Sequence, residues 1–173
     1  MNTNEVINNC LNKLSPKKVL DLGIGKGRCS KRFLQKGSII TGVDLVNTTI
    51  PGINFFQCNI KDFKFNQDYD LIIASLVLHF LKLDVSKDII EKMKESTVSG
   101  GYNFILTMNK EDNFFRSKKE NFYLNKNDLE KLYPDWEIIQ SGDFETDLEK
   151  HDDLKPHKHN LSFILAKKIN LNS

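Results

Sequence analysis

The chain has 173 residues, of which 39% are hydrophobic and 28% are charged, and these values predict one soluble globular domain. The 25 basic and 23 acidic residues leave a formal net charge of +2, too small to indicate a nucleic-acid-binding surface. The longest apolar stretch, residues 71–83, is too short to span a bilayer and is interrupted by His79 and Lys82. The polar beginning of the chain does not resemble a signal peptide, and the three cysteines lack metal-ligand spacing. We therefore expect a cytoplasmic protein without a bound metal.

An amphipathic helix and an apolar strand are predicted at the start of the chain. Residues 4–14 place five apolar side chains on one helical face, namely Val6, Ile7, Cys10, Leu11 and Leu14. The helix ends before Pro16, and a short apolar strand follows over Val19–Leu22. That strand carries one acidic residue, Asp21, and a segment compatible with a helix follows over Lys26–Lys36.

Three glycines, Gly23, Gly25 and Gly27, lie between this strand and the next helix. A strand, a tight glycine turn and a helix start are typical of a nucleotide-binding unit. The dinucleotide fingerprint would require a glycine where this chain has Arg28, and no Gly-Lys-Ser/Thr is present to form a phosphate-binding P-loop. The remaining pattern, Asp-x-Gly-x-Gly-x-Gly, resembles the first motif of the class I S-adenosylmethionine-dependent methyltransferases.

This resemblance covers residues 15–168 and is strongest to the small tellurite-resistance and thiopurine-type methyltransferases. It implies an α/β fold in one domain over residues 1–173. The sheet would be Rossmann-like, seven-stranded and mostly parallel, with helices on both faces and an antiparallel terminal strand pair. The three glycines would form the floor under the methionine part of S-adenosylmethionine, with Asp21 near its amino group. The first helix, within residues 1–15, would be a lid over the cofactor, and simple packing on the sheet edge remains open.

The second predicted strand, Ile39–Val43, ends at Asp44. A carboxylate at the end of this strand can accept hydrogen bonds from both ribose hydroxyls of an adenosine. Dinucleotide-binding proteins share this feature, so Asp44 indicates nucleoside binding without identifying the cofactor. A helix N-cap or a turn residue is the structural alternative.

The third predicted strand, Ile53–Cys58, is followed by Asn59 and Ile60. In the methyltransferase family an acidic residue commonly follows this strand and contacts the adenine amino group. The resemblance therefore assigns Asn59 and Ile60 to the cofactor site, because the Asn59 side-chain oxygen can accept the same hydrogen bond. Asp62 competes for this role.

The fourth predicted strand, Leu71–Ser75, is continuously apolar, as a strand buried on both faces of a parallel sheet should be. The segment after it resembles the family's wall between cofactor and acceptor, which would place Ser75 and Leu76 near the methionine end. His79 lies in the same segment and is a candidate catalytic residue. A partly buried structural histidine is the alternative.

The rest of the chain completes the sheet. The pattern predicts a helix over Val85–Ser96, a strand over Tyr102–Met108, a short helix over Asn127–Tyr133, and strands over Trp136–Ile139 and Leu161–Ala166. The last two strands have no helix between them, so they should form an antiparallel pair. Such a pair distinguishes the methyltransferase sheet from an all-parallel dinucleotide-binding sheet.

Two loops are candidates for an acceptor pocket, because loops at the carboxyl ends of strands line the ligand crevice of an open α/β sheet. The first loop, residues 109–123, offers the candidates Asn109, Phe114, Phe115 and Arg116. An aromatic-anchored connector is the alternative for this segment.

The second loop, between the last two strands, holds His151, His157 and His159. An extended backbone would place His157 and His159 on one face. We hypothesise that these histidines bind or orient a small anionic acceptor. A metal or anion site and a solvated polar loop remain alternatives.

The sequence therefore predicts S-adenosylmethionine-dependent methyl transfer to a small-molecule acceptor, with no nucleic-acid or membrane partner. A soft or anionic nucleophile would need no general base. One alternative is a non-catalytic S-adenosylmethionine-binding module that acts as a partner or regulator. A second is a nicotinamide-dependent oxidoreductase, which Arg28 and the terminal strand pair disfavour. The sequence leaves the acceptor's identity and the oligomeric state open.

Overall fold

A computed structural model describes residues 2–148 and 156–169 and contains one seven-stranded sheet. The strand order is β3-β2-β1-β4-β5-β7-β6. The first five strands run parallel, and β7 is antiparallel to both β5 and β6. The bounds are β1 Lys18–Leu22, β2 Ile39–Asp44, β3 Asn54–Gln57, β4 Tyr69–Ser75, β5 Thr97–Met108, β6 Trp136–Glu145 and β7 Asn160–Lys168. This topology confirms the predicted fold class.

The helices cover both faces of the sheet. They comprise the α-helices α1 (Thr3–Leu11), α2 (Lys31–Leu34) and α3 (Leu83–Glu95), and 3₁₀ helices over Leu78–Phe80, Asn113–Ser117 and Glu130–Leu132. Two predicted helices are shorter in the structure. The segment 26–36 contains only the single turn α2, because the loop before it contains positive-φ glycines that cannot continue a helix. The segment 127–133 contains a 3₁₀ turn, and Asn127 itself has a φ of 62°.

The core consists of two clusters, one on each face of the sheet. Alternate side chains of β1 point to opposite faces, so Leu20 and Leu22 enter one cluster and Val19 enters the other. On the first face, α3 buries Ile89 and Met93 among other apolar residues of its inner side. Because both faces are covered, the central strands are buried along nearly their whole length.

The α1 helix packs into the second cluster through Val6, Ile7, Cys10 and Leu11, all buried. The Arg32 guanidinium donates hydrogen bonds to side-chain oxygens near the end of this helix, which ties it to α2. The buried face agrees with the predicted helical pattern. The lid function proposed for residues 1–15 stays a prediction.

In the part of the chain that the structure describes, no helix combines the length and the apolar character needed to cross a membrane. The three cysteines form no disulfide with one another, and Cys10 and Cys29 are buried.

We expect Ile7→Ala to lower the free energy of unfolding by about 2–5 kcal/mol, because it empties a fully buried site beneath α1. Denaturant unfolding curves measure this change, and Asn9→Ala on the exposed side of the same helix is the matched control. An unchanged midpoint for Ile7→Ala would show that α1 is not part of the cooperative core.

Candidate functional site

The direction of the strand order reverses between β1 and β4, which places a crevice at the carboxyl edge of the sheet. The chain passes from β1 to β2 on one side, and β4 and β5 continue on the other side. Ligands of open α/β sheets bind at such a switch point. Two cavities of about 270 and 280 Å³ lie here, and Gly23 lines both of them.

The glycine loop that leaves β1 has the backbone of a ligand cradle. Gly23 and Gly25 have φ values of +70° and +51°, which side chains rarely adopt. A Cβ on Gly23 would lie 2.5 Å from Val77, so only glycine permits this close approach. A Cβ on Gly25 would meet no atom closer than 4.0 Å, because this position opens toward the cavity. Gly27 does not line either cavity, and a Cβ there would press on Ile50 at 2.9 Å.

Asp44, at the end of β2, connects the glycine loop to the first cavity. One carboxylate oxygen accepts a hydrogen bond from the Gly25 N–H at 2.9 Å, and the other accepts one from the Val46 N–H at 3.0 Å. The side chain is partly exposed and lines the cavity. Each carboxylate oxygen can accept more than one hydrogen bond, so Asp44 can hold the loop and a ligand together.

The first cavity, which we call the apolar cavity, is a mainly hydrophobic slot with polar groups at its rim. Its lining residues are Gly23, Asp44, Leu45, Val46, Asn59, Ile60, Leu76, Val77, Phe80 and Leu81. The structure thus brings together predicted residues from the ends of four strands, β1 to β4. Leu76 has a φ of 54°, an uncommon conformation for this residue type that is typical of functional sites.

The second cavity, which we call the polar cavity, contains most of the charged groups of the crevice. It is lined by Asp21, Gly23, Ile24, Gly25, Lys26, Arg28, Cys29 and Ser75. Asp21 is 2% exposed, and its Oδ2 has no hydrogen-bond partner among the described residues. The Ser75 hydroxyl is also buried without such a partner. Buried polar atoms without a protein partner fit a ligand that supplies the missing hydrogen-bonding groups.

Burial raises the pKa of Asp21 from its ordinary value of 3.8 to about 7. The Ser30 hydroxyl lowers the pKa by hydrogen bonding, the Asp44 charge raises it and the Arg28 charge lowers it. The free protein therefore holds Asp21 largely uncharged below neutral pH.

The histidine loop joins the segment after β5. His157 and His159 lie two residues apart with their Nε2 atoms 3.1 Å from each other. The His159 Nδ1 lies 3.0 Å from the Asp112 carboxylate, which also accepts a hydrogen bond from the Asn160 N–H at 2.9 Å. Asp112 and His159 are both buried. The carboxylate therefore fixes the orientation of the His159 ring.

His79 faces the same group of side chains. Its ring contacts Phe80 and Tyr123, with centroid distances of 4.3 and 6.2 Å. It is 2% exposed, and neither ring nitrogen has a hydrogen-bond partner among the described residues. Burial lowers its pKa to about 4, although the nearby Asp112 charge acts in the opposite direction. His79 is therefore neutral at physiological pH.

The other predicted acceptor residues lie in different settings. Asn109 is buried, with its amide donating to Ser162 and its side-chain oxygen accepting from the Glu111 N–H. The Phe115 ring packs on Tyr123 at 5.6 Å. The side chains of Phe114 and Arg116, and His151 as a whole, lie outside the described residues.

Within residues 2–148 and 156–169, no group of three or more side chains is arranged to hold a metal ion. Of the predicted acceptor residues whose side chains the structure describes, namely Asn109, Phe115, His157 and His159, none lines either cavity.

Sequence reasoning missed several residues of the site. Arg28 and Cys29 directly follow the glycine motif, and Leu45 and Val46 directly follow Asp44, so proximity to a motif could have identified them. Asp112 gave no such signal, because it lies 47 residues before His159 in the chain.

The sheet topology and the glycine loop define a class I methyltransferase fold. The antiparallel β7 between β5 and β6 opposes the nicotinamide-dependent alternative, because it departs from an all-parallel dinucleotide-binding sheet. The family model of the tellurite resistance protein TehB matches residues 1–165. The chain therefore belongs to the TehB family, which confirms the predicted resemblance.

Relatives with known names agree with this assignment. The chain is 30% identical over 151 residues to the probable S-adenosyl-L-methionine-dependent methyltransferase TehB of Haemophilus influenzae, covering 81% of this chain and 53% of that protein. It therefore spans about half the length of the curated relatives it matches.

Solved structures show the same architecture. The crystal structure of TehB from Haemophilus influenzae matches with a TM-score of 0.77 and 26% identity, covering 95% of this chain and 62% of that one. The N-methyltransferase NodS from Bradyrhizobium japonicum, in complex with S-adenosyl-L-homocysteine, matches with a TM-score of 0.68 and 13% identity. That match covers 95% of this chain and 84% of NodS and shows the shared fold. The predicted cofactor is thus the one named for the TehB relatives.

We expect Asp21→Asn to raise the free energy of unfolding above that of the wild type more strongly at pH 8 than at pH 4, with no ligand added. Between pH 3.8 and about 7 the folded state binds more protons at Asp21 than the unfolded state does, so wild-type stability falls as pH rises through this window. Asparagine removes this dependence, which is worth up to about 4 kcal/mol. Denaturant unfolding of both proteins at several pH values measures the difference. Parallel pH profiles for the two proteins would contradict this assignment of the proton.

Proposed function

We propose that the chain binds S-adenosylmethionine in the crevice and transfers its methyl group to a small-molecule acceptor in the cytoplasm. The main supporting observation is that an apolar cavity and a polar cavity meet at Gly23, at the switch point of the sheet. The charged side chains Asp21, Lys26 and Arg28 line only the polar cavity and suit the amino-acid part of this cofactor, whereas the larger apolar side chains of the other cavity suit its adenosine. When bound, this cofactor supplies a methyl group that is already activated on a sulfonium.

The apolar cavity suits the adenosine part. We assign the ribose hydroxyls to Asp44, whose carboxylate lies at the cavity wall beside the glycine loop. Asn59 and Ile60 line the same cavity and are assigned to the adenine. The apolar side chains Leu45 and Val46 are exposed and can pack against a flat ring.

The polar cavity suits the methionine part. Asp21 provides a buried carboxylate for the α-ammonium, and Arg28 lines the same cavity and can pair with the α-carboxylate. Ser75 adds a buried hydroxyl at the end of β4. Gly23 and Gly25 allow the ligand to approach the loop backbone closely.

We assign the acceptor to the side of the crevice formed by the segments after β4 and β5. There His79, Phe115, His157 and His159 lie in one group with Asp112. Methyl transfer needs alignment of the nucleophile, and a protic acceptor also needs a proton acceptor. His79 is neutral, but burial lowers its pKa to about 4 and makes it a weak base, so the site favours a thiolate or another soft anion that requires no proton acceptor.

Gly25→Val should abolish S-adenosylhomocysteine binding, because the branched side chain would enter the space that opens to the cavity.

Asp44→Ala should weaken the binding free energy of S-adenosylhomocysteine by about 1.5–3 kcal/mol, or more than tenfold in affinity, since it removes the ribose hydrogen bonds. Isothermal titration calorimetry measures both effects.

Gly37→Val is the matched control for Gly25→Val. Gly37 also has a positive φ, +84°, and a Cβ there would meet no atom within 4 Å, but it lies outside the crevice. It should therefore carry a similar backbone strain and retain binding. Wild-type affinity in both Gly25→Val and Asp44→Ala would contradict the proposed cofactor site.

Replacing both His157 and His159 by alanine should raise the acceptor KM or lower kcat/KM, with cofactor affinity unchanged. The reason is that these rings lie on the acceptor side and outside both cavities. Production of S-adenosylhomocysteine with a panel of small thiolates and chalcogen oxyanions measures the effect.

Lys158→Ala is the control for this double substitution, because Lys158 lies between the two histidines and is exposed. Unchanged kinetics in the histidine variant would contradict the acceptor assignment. Cofactor binding without turnover on every acceptor would favour the non-catalytic alternative.

A further inference from the structure

Asp21 occupies an unusual position for an acidic residue. It lies inside β1, in register with Gly42 of β2 and Ile73 of β4, and is 2% exposed. Its Oδ2 has no hydrogen-bond partner among the described residues, although the residue lines the polar cavity. An isolated buried carboxylate is costly, so such a group tends to remain protonated.

The neighbours of Asp21 that set its electrostatic balance lie on two elements, the loop after β1 and the end of β2. The loop after β1 contributes the Ser30 hydroxyl, which hydrogen bonds to Asp21, and the Arg28 charge; both favour the carboxylate form. Asp44, at the end of β2, adds a second negative charge and favours the protonated form. Cys29 is close enough to respond to the Asp21 charge, but burial raises its own pKa to about 12. Cys29 therefore does not titrate near neutral pH.

The result of this balance is a pKa of about 7 for Asp21, with burial as the largest cause. A ligand ammonium beside the carboxyl group would reverse the balance, because an adjacent positive charge favours the ionised form. The polar cavity offers the space for such a group next to Asp21.

We propose that Asp21 is protonated in the free protein and loses its proton when the cofactor's α-ammonium enters the polar cavity, so that cofactor binding releases a proton to solvent. This inference rests on the proposed function. The reaction is balanced: the carboxylic acid and the ligand ammonium become a carboxylate–ammonium pair, and one proton passes to the buffer. Asp21 then selects ligands that carry the ammonium.

The coupling of cofactor binding to proton release makes the cofactor affinity depend on pH. Below pH 7 the free protein must give up a proton in order to bind, so the affinity falls about fivefold between pH 7 and pH 6 and approaches a tenfold fall per unit at lower pH. A ligand that lacks the amino-acid part can bind without removing the proton from Asp21. Its affinity should not change with pH through Asp21.

Calorimetry with S-adenosylhomocysteine in two buffers of different ionisation enthalpy, at equal pH, counts the protons released. At pH 6 we expect about 0.9 proton per ligand, since a group that titrates near pH 7 is then about nine-tenths protonated. The affinity at pH 6 should be about tenfold weaker than at pH 8. 5′-Methylthioadenosine, which lacks the ammonium and the carboxylate, should release no proton.

Asp21→Asn should bind S-adenosylhomocysteine more weakly at pH 8 and release no proton at pH 6. Asp68→Asn, at an exposed position outside both cavities, should behave like the wild type. A thermal melt of each variant establishes that it is folded before the titration.

The outcomes separate this inference from the proposed function. Binding of S-adenosylhomocysteine without proton release would overturn the inference and leave the cofactor assignment standing. Equal proton release in the wild type and Asp21→Asn would also overturn it, because the proton would then come from another group. An absence of binding in the wild type would overturn both.

Discussion

The site depends on the attachment of the glycine loop to the end of β2. The Gly23 and Ile24 N–H groups both donate to the Val43 carbonyl, at 2.8 and 3.1 Å, and the Asp44 carboxylate accepts from the Gly25 N–H. These bonds bend the chain sharply as it leaves β1, and they require positive φ at two glycines. The bend keeps the carboxyl end of β1 open, and it forms the shared wall of the two cavities.

The buried polar atoms without hydrogen-bond partners are concentrated at this same edge. Among the described residues they belong to Asp21, Ser75, His79 and Thr107, which lie near the carboxyl ends of β1, β4 and β5 or just after β4. Elsewhere the interior satisfies its polar groups, as the buried network of Thr97 with its neighbours shows. Unsatisfied buried groups reduce stability. Their location indicates that the fold gives up stability where it must bind ligands, as functional sites commonly do.

The sequence was sufficient wherever the information is local. The glycine spacing, the acid at the end of β2 and the apolar run of β4 all act through neighbouring residues, and each lies where the pattern predicted. The predicted extents of α2 and β6 were wrong for physical reasons. The helix begins later than predicted because the glycines before it have positive φ. The strand β6 is longer than predicted because pairing with β7 holds it in place, and it has no continuous apolar pattern of its own. The contact of Asp112 with His159 depends on β7 lying beside β5, so no local pattern could reveal it.

The two sides of the crevice therefore rest on different constraints. The proposed cofactor side depends on backbone geometry, where a single added Cβ at Gly23 would collide with Val77. The proposed acceptor side depends on side-chain contacts between distant segments, such as the one from Asp112 to His159. A substitution on the acceptor side can alter the shape and charge of that surface while the loop after β1 keeps its backbone. We therefore expect a fold of this kind to keep its methyl donor more strictly than its acceptor, because residues on connecting segments vary more than the strand ends and turns that position them.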